Sequence, residues 1–273
     1  MIPEHLSYST LTTWERCKHK WMLEKVAKAP ARPAVYFAGG SAVHKMTEES
    51  DLGRVGNGVT FESYFYPEVA RLMEADEGIY WDTKLWLSGG SPQAPESCDD
   101  WLEIGPRCVK NWRDTVRPAG EMVEYDLTGN LPGCPVPIKA FADRVQYDDN
   151  FQNVRIIDIK TGKTKPKDWF QLETYAALWR RAEGTDVKDV AYFMARDGKF
   201  HWHTPQLTDE QVGERYGKIY KEMVDAQERD EYPADVQFTC KWCPMQDACL
   251  ARSGDTVHAK KWDPYFEMKK PVF

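Results

Sequence analysis

The chain has 273 residues, 42% hydrophobic and 13% aromatic, which excludes a disordered polymer and allows one sizeable core with an inserted subdomain. No apolar run is long enough to cross a bilayer, and the opening MIPEHLSYST lacks the layout of an export signal, so a cytoplasmic location without membrane contact is expected. The net charge of −7 argues against a basic surface over the whole molecule, and seven cysteines without an export signal argue against a disulfide framework.

From the N-terminus, Leu6 to Ala29 reads as one helix, with Ser9 as its cap and Leu11, Trp14, Trp21, Met22 and Val26 as an apolar stripe; Cys17 lies within it. In Val35 to His44, Gly39 and Gly40 let the backbone turn, and Ser41 then caps a helix that carries His44 in its first turn. Phe61 to Tyr66, Val69 to Met73 and Trp101 to Val116 fit helices, the last following a loop at Gly89 to Pro92. These helices predict a subdomain packed beside the core. Trp81, Trp86, Trp101 and Trp112 could stack on unpaired bases, but filling helix interfaces is the preferred reading.

From Glu121 the period changes. Met122 to Leu127 alternates, and strands carrying Asp143 (Ile138 to Val145) and Asp158 (Val154 to Gly162) follow. Side chains alternate along a strand, so Asp158 and Lys160 share one face while Ile157 and Ile159 share the other. Paired across a hairpin, Asp143 and Asp158 could converge on one hard divalent cation, magnesium or manganese. Lys167 to Glu183 reads as a helix with Gln171 and Tyr175 on one face and Leu172, Ala176 and Trp179 turned to the core. Val190 to Met194 and Lys199 to His203 make two more strands around the turn Asp197-Gly198, and Thr208 to Arg229 a polar amphipathic helix. His201 and His203 read as ordinary surface residues. Strands, a helix and then further strands predict a mixed α/β sheet with helices on its flanks. Lys160, Lys163, Lys165 and Lys167 form a local basic run suited to phosphate contacts. The chain has no G-x-x-x-x-G-K-[ST] loop.

Near the C-terminus, Cys240, Cys243 and Cys249 give a C-x2-C-x5-C run, one thiolate short of a tetrahedral site, and Cys17 is the obvious fourth. Four thiolates suit zinc and iron–sulfur clusters alike. Cys98, Cys108 and Cys134 read as unrelated buried thiols.

Gly40-x-x-x-His44, Asp143-Arg144, Asp158-Ile159-Lys160-Thr161-Gly162 and Gln171-x-x-x-Tyr175, in this order, resemble the active-site series of the PD-(D/E)XK nuclease superfamily. The nearest branch is that of RecB-like and CRISPR-associated exonucleases. The proline of the superfamily name has no match, and Ala140 stands where members often carry glycine. One cysteine before the nuclease motifs and three after them resembles the iron–sulfur members. The resemblance therefore implies a [4Fe–4S] cluster held by Cys17, Cys240, Cys243 and Cys249, with zinc as the alternative.

The fold it implies is restriction-endonuclease-like: a mixed central sheet flanked by helices, with an inserted helical subdomain and a four-cysteine clasp joining the N- and C-terminal regions. Residues 1–50 would be the N-terminal helices of the nuclease domain, 51–120 the helical insertion, 121–235 the nuclease core and 236–273 the cysteine region and tail. In the implied site His44, Asp143, Asp158 and the backbone carbonyl of Ile159 hold magnesium or manganese, Lys160 orients water or stabilises charge, and Gln171 and Tyr175 position the lysine and contact DNA. The expected activity is a DNA exonuclease on single strands or duplex ends, in recombination, repair or phage DNA processing, with a phage-encoded chain in view. The alternatives are a nuclease-fold subunit of a CRISPR-adaptation complex with integrase-type partners, and a non-catalytic, metal-stabilised nucleic-acid-binding module.

Overall fold

The computed structural model describes residues 2–91, 93–115, 122–147, 153–253 and 261. In chain order its helices are α1 (Tyr8–Arg16), α2 (Lys18–Lys25), α3 (Val35–Asp51), α4 (Glu62–Glu74), α5 (Cys98–Thr115), α6 (Phe170–Glu183), α7 (Asp209–Arg229) and α8 (Leu250–Ser253). Its strands are β1 (Gly89–Ser91), β2 (Ala94–Glu96), β3 (Val123–Asp126), β4 (Phe141–Tyr147), β5 (Val154–Lys160), β6 (Val187–Met194) and β7 (Lys199–His203).

The β-branched run of β5 stands at the centre of a five-stranded sheet ordered β3-β4-β5-β6-β7. β3, β4 and β5 pair antiparallel. The chain then crosses over through α6, so β6 returns parallel to β5, and β7 closes the edge antiparallel. Alternation along β5 divides the interior between two faces. Ile156 packs with residues of α1, α2, α6 and α7, such as Trp14, Met22, Leu172 and Tyr216. Ile157 and Ile159 pack with residues of α3, α4 and α5, such as Val43, Phe65 and Trp112. The sheet is thus covered on both faces, the expected mixed α/β arrangement. Among the described residues no helix is long and apolar enough to cross a membrane.

Several local expectations are corrected. The first helix breaks at Cys17, whose extended backbone (φ −163, ψ 109) ends α1 and starts α2. The Cys17 N–H bonds the Thr13 carbonyl, while its sulfur accepts from Lys20 N at 3.4 Å. Ser7, not Ser9, caps α1 by accepting from Thr10 N. α3 begins at Val35, so Gly39 and Gly40 lie inside it and His44 sits in its third turn. The reason is close packing: a Cβ on Gly39 would lie 2.0 Å from Cε3 of Trp101 on α5.

Trp86, Trp101 and Trp112 are buried as the interface reading requires, whereas Trp81 is 66% exposed. Gly89 to Ser91 is one strand of a hairpin rather than loop, while Pro92, Val116 and Glu121 lie outside the described residues. His203 is no ordinary surface residue. Its Nε2 lies 2.6 Å from Oε1 of buried Glu173, whose carboxylate also accepts the Gln206 and Leu207 N–H groups, and its ring stacks on Trp169 at 4.8 Å.

Candidate active site

α3 crosses the edge of the sheet so that His44 meets Asp143 of β4, with Nδ1 3.1 Å from Oδ1. The other Asp143 oxygen accepts the Ile159 N–H at 2.6 Å, which fixes the carboxylate against β5. Glu124 of β3 completes the group. Ligand atoms of His44, Glu124 and Asp143 all lie within 4.8 Å of one another. Sequence reasoning missed Glu124. It falls opposite Asp143, between the pairs Val123–Arg144 and Tyr125–Ala142, and its backbone is left-handed (φ 49). That conformation is uncommon away from glycine and costs on the order of 1–3 kcal/mol, a kind of strain that concentrates at functional sites. The signal available in the sequence was alternation along Met122 to Leu127; the register with β4 was not available.

The three groups shift one another's protons. Burial works against a charge on His44, but Asp143, Asp158 and Glu124 outweigh it and raise the imidazole to about 9. Burial and then the Asp143 charge push Glu124 up to about 7. Burial opposes the Asp143 charge as well, yet His44, the Ile159 N–H and Lys160 hold that carboxyl below its ordinary range. Two carboxylates and an imidazole are a donor set suited to a hard divalent cation.

Asp158, buried on β5, sits in an adjoining network. Its Oδ2 stands 2.6 Å from Lys160 Nζ, and its Oδ1 accepts Gln171 Nε2 at 2.7 Å and the Tyr175 hydroxyl at 3.3 Å. Gln171 Oε1 accepts from Lys160 Nζ at 2.8 Å, and Gln171 Nε2 also donates to the Tyr175 oxygen at 2.8 Å. Gln171 thus bridges the lysine and the aspartate, one turn before Tyr175 on α6. Burial, then the charges of Asp158 and Asp143, raise Tyr175 well above the usual phenol range, so it stays a neutral donor. Burial, with help from Asp143, also raises Asp158 despite Lys160. Asp158 acts electrostatically on His44 and Asp143, but it is not in the group whose ligand atoms lie within 4.8 Å.

A cleft of about 750 Å³ opens over this constellation, lined by His44, Glu124, Asp143, Gln171 and Tyr175 together with Lys139, Phe37 and Phe141. Of the basic run, Lys163 pairs with Glu96 at 2.8 Å and Lys165 lies over the Trp169 ring at 4.3 Å. Arg144, next to Asp143 in sequence, is fully buried and pairs with Asp51 instead of facing the cleft.

The cysteine segment lies against the N-terminal helices. Gln237 Nε2 donates to the Arg16 carbonyl, the Arg32 N–H bonds the Pro244 carbonyl, and the Arg32 guanidinium grips Asp247 with two bonds of 2.9 Å. Burial, then the Cys249 and Cys17 thiols, push Cys243 up to about 11. Among the described residues no three of the four sulfurs come within 4.8 Å of each other. Cys108 is buried, as expected, while Cys98 and Cys134 are half-buried.

A family model described as the PD-(D/E)XK nuclease superfamily matches residues 5–250. The gene 69 protein of Mycobacterium phage D29 is 24% identical over 268 aligned residues, which cover 89% of this chain and 95% of that protein. The crystal structure of SSO0001 is 14% identical and covers 77% of this chain and 95% of that one, with a TM-score of 0.31, too low to inform the fold.

Proposed function

Because the chain belongs to the PD-(D/E)XK nuclease superfamily, we propose that it is a divalent-metal-dependent deoxyribonuclease acting as an exonuclease. The observation that carries this is the meeting, in one cleft, of a hard-cation donor set (His44, Glu124, Asp143) with Gln171, which accepts from Lys160 Nζ at 2.8 Å and donates to Asp158 at 2.7 Å. Magnesium or manganese there would lower the pKa of a bound water and neutralise charge on the scissile phosphate. His44, Asp143 and Glu124 would hold the cation, with Asp158 and the Ile159 carbonyl available as further oxygen donors. Lys160 directs its ammonium at the phosphate or the attacking water, where a fixed charge in a partly dry cleft stabilises the developing negative charge. Gln171 fixes Lys160 and Asp158 relative to each other, and Tyr175 supports Gln171. Lys139, on the wall of the cleft, contacts phosphate.

The test compares linear and covalently closed circular DNA, single- and double-stranded, with Mg²⁺ or Mn²⁺ and with chelator. The expected result is metal-dependent degradation of the linear substrates, abolished by Asp143→Asn. Cutting of closed circles would replace exonuclease with endonuclease, and intact DNA under all conditions would return the chain to a non-catalytic binding module.

A second reading concerns the thiols. We infer that Cys17, Cys240, Cys243 and Cys249 hold a [4Fe–4S] cluster as a structural clasp, since closing a loop of over two hundred residues restricts the unfolded chain. Anaerobic purification with iron, sulfide and zinc analysis decides: brown protein with stoichiometric iron supports the cluster, and colourless zinc protein replaces it. A role in recombination, repair, phage DNA processing or a CRISPR-adaptation complex remains a proposal tested by pull-down of integrase-type partners.

A further inference from the structure

Beside the metal cleft lies a second cavity of about 460 Å³, between the β1–β2 hairpin and the loop that follows the catalytic strand. The two cavities share Tyr36 and Thr161 as a common wall. We propose that this second cavity is a subsite for one unpaired nucleotide of the DNA strand whose neighbouring phosphate lies at the metal cleft; this rests on the nuclease reading above.

The lining has both kinds of contact that single-stranded DNA requires. Ser88, Thr161 and Thr164 bring hydroxyl groups and Lys163 an ammonium, suited to a phosphate and a sugar. Tyr36 and Trp242 bring aromatic rings from α3 and from the cysteine segment, suited to stacking on a base. The volume lies within the ordinary range for small-ligand sites. A base inside a duplex is covered on both faces by its neighbours and tied by its edge to a partner, so these rings are offered to a base freed from both, as at an unpaired end.

The charge balance also favours an anion. Glu96 is the carboxylate in this cavity, and it is met by two cations. Arg196 takes it in a two-pronged grip at 2.8 and 2.9 Å, and Lys163 adds a contact at 2.8 Å. Arg196 also donates to the Thr161 carbonyl at 2.6 Å and lies over the Trp101 ring at 5.1 Å, so it stays in place. Lys163 is the more exposed cation, on a loop, and can turn to a phosphate while Arg196 keeps Glu96 neutralised. The hairpin is thereby anchored to the end of β5, one residue past Lys160, and the subsite keeps a fixed relation to the reacting phosphate.

Binding of fluorescent phosphorothioate oligothymidylate and of a blunt duplex, in Mn²⁺, tests the proposal by anisotropy. Lys163→Ala combined with Trp242→Ala should weaken single-strand binding about tenfold, the loss of one phosphate contact and one stack, and change duplex binding less than about twofold. Mn²⁺ affinity should be unchanged, and Trp242→Phe in place of the alanine should recover most of the stacking share. If Trp242→Ala lowers the melting temperature, Lys163→Ala alone decides, with an expected single-strand loss of about threefold. Unchanged single-strand binding, or equal losses on both substrates, overturns the subsite and leaves the nuclease reading standing. A wild-type protein that binds neither DNA overturns both.

Discussion

Nη1 of Arg144 lies 2.6 Å from Oδ2 of Asp51, with the arginine side chain fully buried and the aspartate nearly so. The pair ties β4 to α3, and Trp112 Nε1 adds bonds of 3.0 and 3.1 Å to the same carboxylate. Asp51 stands two helical turns after His44, and Arg144 directly follows Asp143, so the pair helps hold two side chains of the candidate cation site in register.

Removing one partner leaves a buried charge without its counter-ion, which costs about 3–5 kcal/mol. Arg144→Met should therefore lower the urea midpoint sharply, and pairing it with Asp51→Leu should recover most of the loss. A single variant within about 1 kcal/mol of wild type would show the pair to be dispensable.

The contact of α3 with α5 makes a second stability prediction. A methyl group at Gly39 would overlap the Trp101 ring, and at Gly105 the Phe61 ring, each with contacts near 2 Å. Gly39→Ala should cost about 1–3 kcal/mol in chemical unfolding as the helices are forced apart, because overpacking is not relieved by a rigid indole. Gly53→Ala is the control, since open space surrounds that position; any cost there comes from its positive φ alone.

These two cases show where the sequence was readable. The β-branched run at Ile156, Ile157 and Ile159 marked the central strand, because alternation and branching are local properties. Gln171 and Tyr175 were readable as one helix face for the same reason, and they meet. Glu124 was not readable, since it matters through its register opposite Asp143 and a left-handed backbone. Gly39 was taken as a turn because the tryptophan that requires it lies 62 residues later, at position 101. The break at Cys17 was hidden because its sulfur, an unusual cap, starts the second helix. Arg144 follows Asp143 in the motif but is buried against Asp51, since a strand sends neighbouring side chains to opposite faces.

Metal binding should depend on pH. His44 titrates at about 9 and Glu124 at about 7, so at pH 6 both carry protons that an entering cation must displace. Mn²⁺ affinity should rise as pH increases through 7 and go on rising toward 9, with proton release visible as a buffer-dependent heat in calorimetry. Glu124→Gln should weaken binding and remove the step near 7. In metal-free protein the sign is opposite for His44: its pKa is raised above the unfolded 6.5, so its stabilising contribution is complete below 6.5 and is lost as pH rises through about 9. Affinity independent of pH between 6 and 8 would remove these groups from the cation site.

Lys160, Gln171 and Tyr175 should fall in a graded series. In the proposed mechanism Lys160 supplies the charge at the phosphate, so Lys160→Ala should lower kcat by about 10²–10³-fold while leaving Mn²⁺ affinity near wild type. Gln171→Ala removes the bridge between Lys160 and Asp158 but leaves their direct 2.6 Å contact, so the loss should be smaller, about tenfold. Tyr175→Phe deletes one hydroxyl that supports Gln171 and should cost less again. Gln171→Glu separates positioning from charge: a carboxylate beside Asp158 and Asp143 adds repulsion in a buried cluster, so it should be worse than the alanine variant and recover partly as pH falls. Steady-state kinetics on a linear single strand gives the order. If Tyr175→Phe were as damaging as Lys160→Ala, the phenol would be acting on the substrate itself and not through the glutamine.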